Sequence, residues 1–337
     1  MSTPTPGESA WLAKVQEEIL EPERPICDPH HHLWEHDTRY LLPELLADTG
    51  SGHNVVSTVF VECMAFYRKS GPREMRFVGE TEFVQGVAAM AASERYGPTK
   101  ACAGIVSNAN LAAGDAVRPL LEAHVAASPN RFRGIRHATA YDEALPASHT
   151  KPAPGLMGDA KFRDGFRHLD ELGLSFDAWL YHPQLPELAD LARAFPGVTI
   201  VLDHLGGPIG VPPYSREEVM PVWREAIADV ASCPNVVVKL GGVNMPLNGH
   251  GWQERDSPPG SEELAEATRD WYLHAIDVFG PDRCMFESNF PVDKVSCSYA
   301  VLWNSFKRIA AGCSEGEKAS LFHDTAARVY RLAPEAR

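Results

Sequence analysis

The chain lacks the marks of several large function classes. Its seven cysteines include no CxxC pair, which argues against a cysteine zinc site. Cys27, Cys63, Cys102 and Cys284 lie in or beside apolar runs, and Cys233 just precedes one. They read as buried reduced thiols, not as a disulfide framework. No apolar run reaches the roughly 18 residues of a transmembrane helix. The opening MSTPTPGESAWLAKVQEEILEPERP has no basic stretch followed by an apolar core, so it is not a signal peptide and a cytoplasmic protein is expected. Positive charge is also short, with 31 Lys+Arg against 45 Asp+Glu and a formal charge of −14. That field opposes nucleic acid and anionic membranes, and leaves a small molecule as the expected partner.

What is present is an ordinary globular balance, 44% hydrophobic and 23% charged over 337 residues, with ample apolar area for a core. Trp11, Val15 and Ile19 recur at spacing four and predict a short helix in an extension over residues 1–24. This helix either caps the domain or meets a second copy in a homo-oligomer. From residue 25 to 337 a strand-then-helix rhythm runs. The strand candidates are 26–32, 55–64, 101–107, 131–137, 174–181, 198–204, 236–242 and 283–290. Helical patterns lie between them, and Ser314 with Glu317 forms a capping-box pattern before the last one. Eight such units predict an α/β fold, a (β/α)8 TIM barrel in one domain. An open doubly wound sheet is the runner-up, but no glycine-rich turn follows the first strand. Pro/Gly-rich segments after strands four, six and seven fall at the C-terminal mouth, where barrel active sites are built.

Alternation along the first strand puts Asp28, His30 and His32 on one face and His31 on the other. Two imidazoles at a barrel mouth suit a divalent metal. On strand six, His204 shares a face with Val198, Ile200 and Leu202, while Asp203 points the other way. His182 ends strand five and Glu62 ends strand two. Arg136 and His137 end strand four on opposite faces, so by parity only one enters the mouth. Glu287 and Asn289 share a face of strand eight, and Lys239 on strand seven could meet Glu287 inside the barrel.

The ordered set DPHHHLW, GIRH, VLDHLGGP, VVVKLGG and ESNFPVDK, over about residues 25 to 333, resembles the amidohydrolase superfamily, in its amidohydrolase 2 group. That group includes 2-pyrone-4,6-dicarboxylate lactonase and sugar-acid lactonases, and more distantly metal-dependent decarboxylases. The resemblance implies a hydrolase of a lactone or related cyclic ester. It implies a divalent ion, zinc first, at His30 and His32, with His204 as a third ligand or a carbonyl polariser. Arg136 and Glu62 are the substrate-binding candidates. One position departs from the pattern: most relatives carry aspartate where Asn289 stands. An amide oxygen ligates weakly and takes no proton, so the metal would be weakly held or absent. The base would then be Asp293, four residues on, with His182 and Glu62 as further candidates. A metal-dependent decarboxylase and a barrel that has lost catalysis are the alternatives.

Overall fold

A computed structural model describes residues 10–36, 38–146 and 150–332. Its eight main strands are β1 (Pro25–His31), β2 (Asn54–Val61), β3 (Lys100–Ser107), β4 (Phe132–Arg136), β5 (Ser175–Ala178), β6 (Ile200–Leu202), β7 (Val236–Leu240) and β8 (Cys284–Phe286). All pair parallel with their sequence neighbours, in the order β1 to β8. The ring closes past the end of β8, where His31 bridges Phe290 and the Asn289 amide donates to the His30 carbonyl at 2.9 Å. A helix follows each strand: α1 (Leu42–Thr49), α2 (Val78–Ala91), α3 (Arg118–Ala127), α4 (Ala160–Glu171), α5 (Leu185–Ala194), α6 (Arg216–Ala231), α7 (Ser261–Phe279) and α8 (Tyr299–Ile309). This is the (β/α)8 barrel that the repeated pattern predicts.

The strands read as near-continuous apolar runs because both of their faces are buried. One face packs outward on the helices: Ile26, Phe60, Ile135, Phe176, Ile200, Leu202 and Val238 join the large core there. The other face fills the barrel, through Cys27, Val59, Val61, Val106, Val201, Val237 and Met285. Each helix seals the outer layer with one stripe. On α7, Leu264, Thr268, Trp271, Tyr272, Ala275 and Phe279 recur at three- and four-residue spacing and are buried.

The C-terminal segment does not simply add another helix to the ring. Ser314 and Glu317 make the expected reciprocal cap on α9 (Glu315–Ala319), a π-helical stretch Ser320–Asp324 follows, and α10 (Thr325–Val329) ends the run. Ala326, Val329 and Tyr330 from this segment join the barrel's inner cluster and close its N-terminal end. In the extension, the described residues are helical at 10–12 and irregular from Val15 to Ile19, so the apolar stripe does not lie on one helix. The chain there runs along α7 and α8 instead: Glu17 accepts from the Ser261 amide at 2.7 Å and from Asn304 at 3.1 Å. Residues 1–9, 147–149 and 333–337 of the expected extension, strand-four loop and barrel lie outside the described residues.

Candidate active site

Inward-facing residues change character toward the C-terminal ends of the strands. Above the apolar layer come Asp177 on β5, Lys239 on β7, Arg136 on β4 and Glu287 just past β8, all buried. Lys239 Nζ lies 2.7 Å from Asp177, 3.0 Å from Asp203 and 3.1 Å from His30 Nδ1. The anticipated Lys239–Glu287 pair is therefore replaced by Lys239 between two aspartates. Glu287 serves the histidines: it lies 2.8 Å from His30 Nδ1 and 2.6 Å from His204 Nδ1. Burial pushes this carboxyl up, but His204 and His30 outweigh it and hold Glu287 at about 2.

Two local irregularities decide what enters the mouth. The β1 register shifts between Asp28 and His31. Asp28 consequently turns away from His30 and His32: it accepts from the Ser288 amide at 3.0 Å and from the Tyr299 hydroxyl of α8 at 3.0 Å. His31 points outward as alternation predicts, onto Thr58 at 2.8 Å. On strand six the expected parity is reversed. Ile200 and Leu202 face the helices, so Asp203, two residues beyond inward-facing Val201, is the residue that enters the barrel. His204 still reaches the mouth because β6 has ended and the backbone turns left-handed, with φ of 54° at His204 and 56° at Leu205. Of the pair ending β4, Arg136 enters and His137 leaves, its ring 5.5 Å from that of Phe162.

His30, His32 and His204 come together. Ring centroids are 4.9 Å apart for His30–His32 and 4.5 Å for His30–His204, and Trp179 meets His204 edge-on at 4.9 Å. Burial, and then the Lys239 charge, hold His30 well below the ordinary histidine range; burial and Arg136 do the same for His32. The Val61 carbonyl, 2.8 Å from His32 Nδ1, requires the proton on that nitrogen and leaves Nε2 with a lone pair. Asn289 Oδ1 faces that lone pair at 3.3 Å. Asn289 Nδ2 donates to Asp293 at 2.8 Å. Asp293 is fully buried behind this amide, and burial raises its carboxyl to about 7. Arg136 is clamped by Glu62, with Nε at 2.8 Å, and its Nη1 lies 3.3 Å from His30 Nε2. His182 is not brought to this cluster: its described partners are the Ile209 amide and the Tyr214 ring.

Among the described residues, His30, His204 and Glu287 form a group within reach of one metal ion, their ligand atoms within 4.8 Å of one another. Two buried cations, Lys239 and Arg136, also face four carboxylates, Glu62, Asp177, Asp203 and Glu287. This excess of negative charge favours a further cation. The 2.6 Å separation from His204 Nδ1 is a hydrogen bond and the 2.8 Å one from His30 Nδ1 a close polar contact, both shorter than the roughly 3.3 Å between ligands of a tetrahedral zinc ion. Glu287 thus stands as the group that orients the histidines. Asp177, Asp203 and the orienting role of Glu287 escaped sequence reasoning, although a lone aspartate in LSFDAWLY was itself a signal.

The glycines of VVVKLGG have a steric reason. A Cβ on Gly241 would lie 2.3 Å from the Glu287 carbonyl, and one on Gly242, at φ +64°, 2.1 Å from His204 Nδ1.

Comparison with known proteins agrees with this geometry. The amidohydrolase family model matches residues 27–332. The uncharacterized protein y4mH of Sinorhizobium fredii is 33% identical over 330 residues, 91% of this chain and 98% of its own. A Burkholderia multivorans protein named L-fucono-1,5-lactonase is 29% identical over 204 residues, 60% of this chain and 64% of its own. A zinc-bound Burkholderia multivorans amidohydrolase structure superposes with a TM-score of 0.70 at 24% identity, covering 91% of this chain and 99% of that one. With family match, barrel and mouth cluster in agreement, the chain belongs to the amidohydrolase family.

Proposed function

We propose that the chain hydrolyses a lactone of a small carboxylated or sugar-derived substrate. The observation that carries this reading is the convergence of His30, His32 and His204 beside a guanidinium clamped by Glu62. The lactonase name of the Burkholderia relative supports it. Ring opening needs a polarised carbonyl, an activated water and a proton for the ring oxygen.

Arg136 keeps two N–H donors after those given to Glu62 and His30, and binds the carbonyl or a substrate carboxylate with them. Asn289 Oδ1 orients the water, and Asp293 holds that amide in place. Asp293 thus acts behind Asn289 as a positioning residue. His204 takes the water's proton at Nε2 and returns it to the ring oxygen. Glu287 on Nδ1 fixes the tautomer and stabilises the imidazolium. A divalent ion, zinc first, would be held weakly by His32 Nε2 with the Asn289 oxygen, and by His30 Nε2 in place of its Arg136 contact, and would supply carbonyl polarisation and a more acidic water.

The test is a panel of 1,5-lactones and pyrone carboxylates assayed by proton release, beside metal analysis of protein purified without chelator. Lactone turnover that falls about a hundredfold or more in His204→Gln with metal content retained is the expected result. Loss of metal in that variant would make His204 a ligand. Carbon dioxide release from an aromatic acid, with no lactone opened, would overturn the hydrolase.

A further inference from the structure

The end of the barrel opposite the mouth holds a second cavity, whose walls run against the charge of the molecule. The chain has 14 more acidic than basic residues, yet four cations line this space: Lys100, Arg131, Arg133 and Arg331. Among the described residues, Glu94 is the one carboxylate in the lining. Instead of carboxylates, the arginines hold neutral acceptors. Arg131 donates to Gln85 at 3.3 Å, Arg133 to the Tyr330 carbonyl at 2.6 Å, and Arg331 to the Arg133 carbonyl at 3.4 Å. Burial, then Arg331 and Arg131, hold the Arg133 guanidinium below the usual arginine range. Their positive charges therefore accumulate around one space.

The floor of that space is apolar and small-residued, formed by Ala88, Ala91, Ala101, Ala103, Ala327 and Leu332. The cavity measures about 450 Å³, within the range of small-molecule sites. A headgroup with negative charge would offset the crowded cations, and a short hydrocarbon would cover the alanines.

We propose that this cavity binds a small amphipathic anion, a carboxylate or phosphate monoester on a short aliphatic body, at a site separate from the mouth. Lys100, Arg131 and Arg331 grip the headgroup, and the alanine floor takes the body.

Calorimetric titration of the full chain with octanoate, octyl phosphate and octylammonium at low salt tests this. Saturable binding of either anion, one per chain, and none of octylammonium is expected; the two anions separate the headgroup chemistries. Lys100→Gln with Arg331→Gln, both exposed positions, weakens binding about tenfold or more. Ala91→Leu, which fills the floor, weakens it similarly, and His32→Ala leaves it unchanged. No saturable heat up to about 10 mM of either anion overturns the proposal. So does affinity that ignores the cavity variants, or that His32→Ala abolishes, since binding then belongs to the mouth. Binding seen only after removal of residues 333–337 also overturns it, giving the cavity to the chain itself.

Discussion

His32 supports chemistry more than packing, because the Val61 carbonyl fixes its Nδ1 proton and leaves the Nε2 lone pair open at the mouth beside Asn289. His32→Ala should cut turnover about a hundredfold or more and leave the far-ultraviolet circular dichroism unchanged. A second residue reports on stability. Burial, then the Glu62 charge, raise the Glu80 carboxyl to about 8, while the Cys63 and Ala65 amides oppose the rise. The folded protein then binds a proton that the unfolded chain releases above about pH 4.5. The contribution is full below that pH and is lost as pH rises through 8, by up to about 1.4 kcal/mol per unit. Melting temperatures of the parent should fall across that window relative to Glu80→Gln. Parallel curves for the two proteins would show that Glu80 carries no such proton.

At the scale of elements, side-chain alternation was a sound guide where strands are regular and misled where they end. All eight strands were legible, because parallel strands buried on both faces leave unbroken β-branched runs. Asp28 and Asp203 were misassigned because a register shift and a left-handed turn are backbone events that no two-residue period encodes. Across strands, Glu62 of the β2 exit fixes Arg136 of β4. Glu62→Gln should lower kcat/KM about tenfold or more through KM, while Arg136→Lys should lose the bidentate geometry outright. On the β7 exit, Gly242→Ala would drive a methyl into His204. Activity should collapse there before the melting temperature moves by more than a few degrees, as paired kinetics and calorimetry would show.

Over the whole molecule, one buried polar chain runs from the closed end of the barrel to its mouth. The Tyr330 hydroxyl donates to Asp177 at 2.6 Å, Asp177 holds Lys239, and Lys239 neighbours His30. Tyr330→Phe leaves Asp177 short of a donor and should cost about 1–3 kcal/mol in denaturant unfolding. This stopper also bears on the order in which the protein becomes functional. His30 leaves the ribosome early, but the barrel stays open to water from below until Tyr330 follows about 300 residues later, roughly 15 to 60 seconds at ordinary synthesis rates. For that interval the buried charges of the half-made barrel are hydrated, and its site is a product of the last residues as much as of the first.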